Sequence, residues 1–201
     1  MYSKILEHST EKFLTFGFKS VTMDEIAQEL GISKKTLYQY FSNKEDLVAA
    51  CVFNVFDFIS KGIDKIKELN KNPIEEMFNI KDFVMNFLKN EQSSPQYQLK
   101  KFYPEIYSNI QDKVFEKMSE IVVDSLNKGI KKGFFREEIN VDFIFRLYYK
   151  VINLIKEKEI FGEETNNSDA EELYLDYHIR GIATKKGLEF YYQFKNIKTN
   201  D

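Results

Sequence analysis

Three features of the sequence predict an all-α fold. Only three prolines and eight glycines punctuate 201 residues, and Lys, Glu, Leu and Ile, all good helix formers, recur throughout. Apolar residues repeat at helical spacing over long stretches, with no run of alternating strand pattern between them. Residues 22–47, TMDEIAQELGISKKTLYQYFSNKEDL, read as a helix, a glycine turn and a short second helix. A hydrophobic fraction of 43% and an aromatic fraction of 15% supply ample core material. The length suits a small domain over 1–47, a three-helix unit containing this motif, and a larger helical-bundle domain over 48–201, joined by a long helix.

The start of the first motif helix is doubly specified. Thr22 can cap the first turn while Glu25 reaches back to it, and Val21 can staple onto Ile26. Asp24 and Glu25 suit the positive end of the helix dipole, which explains them as helix starters and not as catalytic acids. Ile26, Ala27 and Leu30 share an apolar face, and Gly31 follows where a helix ends in a left-handed residue. Ser33 can cap a second helix of about two turns over Lys34 to Phe41, with Ile32 and Leu37 in staple positions. Ala27, Gly31 and Leu37 therefore occupy the three constrained positions of a tight helix-turn-helix, where a small residue, a turn and an apolar anchor are needed.

Placing Leu37 inward puts Lys35 and Gln39 on the opposite side of the second helix, at about 100° per residue, with Thr36 and Tyr38 on its flanks. That surface suits a DNA major groove. Lys donates to guanine O6 and N7, Gln pairs with adenine, and the Thr methyl meets a thymine methyl. Lys34, at the helix start, also lies where recognition helices enter the groove. Tyr40, about 60° from Leu37, is expected to be partly core, with its hydroxyl reaching out. A further helix starts at Ser42 or Asn43, with Ser42 and Glu45 able to form another capping box and Lys44 beside its free N–H groups, a phosphate clamp.

Residues 5–47 resemble the DNA-binding domain of the TetR family of bacterial transcriptional regulators. Phe16, Gly17, Thr22, Ile26, Ala27, Gly31, Ile32, Ser33, Thr36, Leu37, Tyr38, Tyr40, Phe41, Lys44, Glu45 and Leu47 carry the resemblance. It implies base contacts from Lys34, Lys35, Thr36 and Gln39, and phosphate contacts from Thr22, Tyr38, Tyr40 and Lys44. It also implies a homodimer on a double-stranded, palindromic operator. A TetR-like regulator of this kind would most often be a repressor, released by a small effector. An activator or architectural factor controlled by a protein partner is the alternative, and a helix-turn-helix that binds protein is a third reading.

Charge tempers the DNA reading. Residues 1–50 hold six Lys and no Arg against seven Asp plus Glu, a net of −1, and the chain as a whole carries −3. The positive charge is local, at Lys34, Lys35 and Lys44. A limited salt slope per subunit follows, with specificity coming from paired half-sites.

Beyond Lys44 a helix runs to about Leu69, carrying Val48, Cys51, Val52, Val55, Phe56, Ile59, Ile63 and Ile66 at helical spacing. A continuous helix here is what coupling between the two halves needs. Asn72 and Pro73 break it, and Pro73 opens a helix to about Asn90. Ser93, Ser94 and Pro95 read as a turn. A short helix to Tyr103, one from Pro104 to about Lys132 ended by Gly133, and helices over Val141 to Phe161 and Asp169 to Phe194 complete a set of about nine, the last two separated by the polar loop Gly162 to Ser168.

The last two helices are the expected dimer surface. Ile144, Leu147, Tyr148, Val151 and Ile155 form one face, while Phe145, Tyr149 and Ile152 add a second that needs its own partner. In the final helix Gly181, Thr184 and Gly187 form a small-residue strip, extended by Leu173, Tyr177, Leu188 and Tyr191. Two copies would make an isologous four-helix contact. Phe78, Phe83, Met85, Phe87, Phe102, Tyr103, Tyr107, Phe115 and Met118 lie in the central helices, where the resemblance implies a pocket for a small apolar effector.

Enzyme chemistry finds no support. His8 and His178 have no carboxylate or cysteine neighbours at ligand or triad spacing and read as surface or interface residues. Asp176 and Arg180, four apart, read as a helix-supporting ion pair. The scattered glycines form no phosphate loop. Cys51 excludes an internal disulfide and a cysteine-based metal site, and reads as a small apolar residue. No catalytic residue, metal or cofactor is predicted. No secretory signal or spanning segment is evident, so the expectation is a cytoplasmic protein without a membrane partner.

Overall fold

The computed structural model describes residues 1–88, 95–156 and 167–200, with side chains over 1–87, 96–155 and 168–196. Ten helices are present among them: α1 (Tyr2–Ser20), α2 (Met23–Glu29), α3 (Lys34–Tyr40), α4 (Lys44–Glu68), α5 (Pro73–Leu88), α6 (Pro95–Phe102), α7 (Pro104–Lys131), α8 (Val141–Lys156), α9 (Asn167–Ile182) and α10 (Lys185–Asn200). The described residues contain no sheet, and the all-α class holds. The expected turn at Ser93, Ser94 and Pro95 and most of the loop from Gly162 to Ser168 lie outside the described residues. Pro95 itself opens α6, and Ser168 lies in α9.

Two compact units form. The first comprises Met1–Gly62 and Asn86–Val114, the second Ile63–Met85 and Phe115–Asp201. In the first, Ile5, Phe13, Ile26, Leu37, Leu47 and Val48 make a closed core, joined by Leu99, Ile106 and Ile110 from α6 and α7. Cys51 is buried in it, and burial pushes its thiol up to about 12, as an inert small apolar side chain requires. In the second unit Ile74, Leu126, Phe135, Leu175, Ile179 and Tyr191 form the corresponding core.

The structure corrects the predicted helix over Asp169 to Phe194. It is two helices, α9 and α10, broken at Ala183–Thr184. The cause is the α7–α8 loop: Phe135 pairs with Ala183, the Arg136 N–H donates to Ile182 O at 2.9 Å, and the Thr184 N–H donates to Phe134 O at 2.9 Å. Thr184 Oγ1 then accepts from the Gly187 N–H at 3.1 Å and caps α10. The predicted strip of Gly181, Thr184 and Gly187 is thereby largely used inside the chain. A Cβ on Gly187 would stand 2.1 Å from Phe134 O, so this glycine admits the loop backbone.

His178 also departs from expectation. It is buried between α8 and α9, with Tyr148 at 5.0 Å and Tyr174 at 5.9 Å between ring centroids. Burial lowers its pKa to about 4. His8 instead lies at the surface, bonded to Glu29 at 2.8 Å. Asp176 and Arg180 form the expected pair at 2.6 Å. Asp176 further accepts from the Tyr191 hydroxyl, and its carboxyl is held at about 2, chiefly by Arg180.

Candidate nucleic-acid interface

The helix-turn-helix is assembled by the local signals in its sequence. The Thr22 N–H donates to Glu25 Oε2 at 2.7 Å while the Glu25 N–H donates to Thr22 Oγ1 at 3.2 Å, a complete capping box. Gly31 takes φ +64° and turns the chain. Ser33 caps α3 by accepting from the Thr36 N–H at 3.0 Å. α3 ends at Tyr40, one residue short of the expected Phe41, which is extended and buried. Of the two possible starts of α4, Asn43 is the cap, its Oδ1 accepting from the Asp46 N–H at 2.8 Å.

Leu37 is fully buried, and the rest of α3 is arranged around it. Lys34, Lys35, Tyr38, Gln39 and Tyr40 are exposed, and Thr36 is half-buried with its hydroxyl 2.8 Å from Ser33 Oγ. Tyr40 is more open than its helical angle suggests, at 42% exposure, and its ring lies 6.4 Å from that of Tyr2. Thr22 is exposed at the α2 start. Lys44 is half-buried, and its ammonium pKa is lowered by burial against the opposing pull of Glu25.

Two arrangements escape sequence reading. Lys34 pairs with Asp24 at 2.5 Å, tying the start of α3 to α2. Glu29 at the end of α2 receives both Lys12, at 2.7 Å, and His8. The Lys12 hydrogen bond is the main cause of the lowered Glu29 pKa. Such pairs span 10 to 21 residues and lie beyond any local motif.

The predicted effector and dimer residues are scattered over several settings. Phe87, Phe102, Tyr103 and Tyr107 fall in the first unit, and Phe78, Phe83, Met85, Phe115 and Met118 in the second. Phe78 is core, 5.9 Å from Tyr191, and Phe115 packs on Phe145 at 5.2 Å. In the first unit Phe87 meets Phe58 at 4.9 Å, Tyr103 meets Phe18 at 6.1 Å, and Phe102 is exposed. Among the dimer residues, Tyr177 is 72% exposed. Gly181 is exposed, and Ile144, Tyr148, Val151, Thr184 and Leu188 are half-buried. Ile155 is buried within the chain. Sequence reading missed Phe143, which is 62% exposed on α8.

No group of three or more His, Cys, Asp or Glu side chains able to hold a metal is found among the described residues. No helix among them is long and apolar enough to cross a membrane.

Comparison with known proteins agrees with this geometry. Residues 5–51 match the family model described as bacterial regulatory proteins, tetR family. The chain is 26% identical over 149 residues to the HTH-type transcriptional repressor KstR2 of Mycobacterium tuberculosis, covering 71% of this chain and 73% of that protein. A transcriptional regulator of Cytophaga hutchinsonii has the same fold, with a TM-score of 0.75 and 18% identity over 90% of this chain and 98% of the other. The FadR repressor of Thermus thermophilus, solved in complex with lauroyl-CoA, superposes with a TM-score of 0.59 and 16% identity over 92% of this chain and 96% of that one. With its capped α2, Gly31 turn and exposed α3 surface, the segment 5–51 is a helix-turn-helix domain of the bacterial tetR family of regulatory proteins, and the chain as a whole is similar to DNA-binding regulators of transcription.

Proposed function

We propose that the protein is a repressor that binds a palindromic operator as a homodimer and lets go when a small effector binds. One observation carries the DNA part of the reading: α3 buries Leu37 alone and turns Lys35, Tyr38 and Gln39 outward. Lys35, Gln39 and the Thr36 methyl read base edges, joined by Lys34 once it exchanges Asp24 for the duplex. Thr22, Tyr38, Tyr40 and Lys44 hold phosphates and fix the register. A two-turn helix reads few bases, so two copies set about 34–36 Å apart, or a multiple of that, supply the specificity.

The homodimer reading is supported by four large apolar side chains left open on neighbouring helices. Phe143 and Leu147 stand four apart on α8, and Leu173 and Tyr177 four apart on α9. Repression is supported by the relative named a repressor, and an apolar effector by the acyl ligand in the FadR complex. The effector acts by favouring a conformation in which the two recognition helices no longer match the half-sites.

Selection of genomic fragments bound by the protein tests this reading. A shared palindrome whose binding is lost in a Lys35→Ala, Gln39→Ala double variant is the expected result. Equal capture of unrelated duplexes, or an unchanged double variant, refutes it.

A further inference from the structure

Within the second unit, α5, α9 and α10 enclose a cleft of about 340 Å³ lined by Phe78, Lys81, Asp82, Ser168, Glu172, Phe194 and Lys195. Its volume lies at the small end for ligand pockets. The lining has two parts. Phe78 and Phe194, with ring centroids 5.4 Å apart, make one apolar wall. Two ammonium and two carboxylate groups with the Ser168 hydroxyl make the rest, and the Lys195 ammonium also donates to Asp176 Oδ1 at 3.3 Å.

Lys81 is the informative member. Its side chain is only 10% exposed, yet its carboxylate neighbours, Asp82 Oδ1 at 3.7 Å and Glu172 Oε2 at 3.8 Å, both lie beyond hydrogen-bond reach. An ammonium on so largely covered a side chain carries three donors and keeps only part of its hydration, so a partner that meets those donors is favoured. The pairing neutralises the charge of Lys81 without satisfying its hydrogens, and these border a cleft large enough to admit an acceptor. Asp82 and Glu172 would oppose a simple anion, while Lys81 and Lys195 would oppose a simple cation.

We infer that this cleft is a binding site for a small zwitterion with an apolar side chain, of the α-amino-acid type. Its carboxylate accepts from Lys81, with Lys195 and Ser168 beside it, its ammonium donates to Glu172 and Asp82, and its apolar part lies on Phe78 and Phe194. The site shares Phe78 with the apolar residues expected to bind an effector, its other lining residues lie outside that set, and it does not depend on the operator reading.

Calorimetric titration of the full chain with L-phenylalanine, without DNA, tests the proposal. 3-Phenylpropionate and 2-phenylethylamine, which each lack one charge, serve as comparisons. The expected result is saturable binding of the amino acid, at least about tenfold weaker binding of both analogues, and at least about tenfold loss in Lys81→Met and in Glu172→Gln. Glu172 is 53% exposed, so its substitution leaves folding intact even if the half-buried Lys81 variant misfolds. L-Leucine, run in parallel, covers a preference for an aliphatic side chain. Absence of binding by both amino acids at millimolar concentration, equal binding of a singly charged analogue, or binding unchanged in Glu172→Gln overturns the site. Operator binding, measured separately on the same preparations, reports on the regulatory reading alone.

Discussion

Single residues on α3 and at the start of α4 divide their work by what each can touch. Lys35 and Gln39 are exposed at the middle of the outward face, so Lys35→Ala is expected to cost about 1–3 kcal/mol on the selected operator and to relax the preference at one base position. Lys44, half-buried at the N-terminal end of α4, is the proposed phosphate contact. Lys44→Ala should weaken all duplexes alike and lower the slope of log affinity against log salt by about one. Fluorescence anisotropy at several salt concentrations separates the two, and identical profiles for both variants would remove the distinction. His178 offers a second residue-level test. Its folded pKa, lowered by burial to about 4, lies below its ordinary 6.5, so the neutral form is favoured by folding. Its stabilising effect is complete above about pH 6.5 and is lost as pH falls toward 4, up to about 3 kcal/mol. Asp176, held at about 2 from its ordinary 3.8, adds a loss only at lower pH, below about 4. Denaturant unfolding between pH 7 and 4 should therefore show a slope that His178→Phe reduces. A slope unchanged by that substitution places the acid sensitivity elsewhere.

At the scale of helices, what was legible in the sequence is what local chemistry decides. The capping box of Thr22 and Glu25, the Gly31 turn and the Ser33 cap each act over three residues or fewer, and the structure reproduces all three. The break between α9 and α10 was not legible, because Phe134 and Phe135 impose it from about fifty residues away. The cleft around Lys81 draws on three helices, and His178 is buried by α8, so neither left a local pattern. α1 gives another case. Gly17 leaves helical geometry at φ +82°, and α6 fills the resulting notch with Gln98, whose Oε1 accepts from the Lys19 N–H at 3.2 Å. A Cβ at residue 17 would stand 2.3 Å from Gln98 Nε2. Gly17→Ala should cost about 1–2 kcal/mol, mainly from the left-handed backbone, and should expel the Gln98 amide. Because the amide is the mobile partner, Gln98→Ala alone should cost less, about 0.5–1.5 kcal/mol for the lost hydrogen bond. Thermal unfolding of the two variants checks the order, and a Gly17→Ala protein as stable as the parent would show that the kink carries no strain.

The whole molecule sets the requirement that no element meets alone. One α3 per chain presents too little surface for a specific site, so the proposed operator needs two chains held at fixed spacing. The surface available for that lies where α8 packs against α9. Leu173 and Tyr177 are 74% and 72% exposed, and with Phe143 and Leu147 they form more open apolar surface than two packed helices need. Around them Arg146 pairs with Asp142 at 2.8 Å, and Arg180 donates to the Tyr192 hydroxyl at 2.6 Å, a polar border of the kind interfaces carry. Stable dimers bury about 1,600 Å² in total, so two charges placed in such a face should prevent closure. Leu147→Lys with Leu173→Lys alters side chains that contribute little to the chain's own core, so helix content and unfolding temperature should stay near those of the parent. Sedimentation at micromolar concentration should show a monomer, and operator affinity should fall by about a hundredfold or more as binding of the second half-site ceases to be intramolecular. A variant that remains dimeric and binds the operator normally would move the interface away from α8 and α9. A parent protein that is itself monomeric while still reading a palindrome would remove the need for the interface altogether.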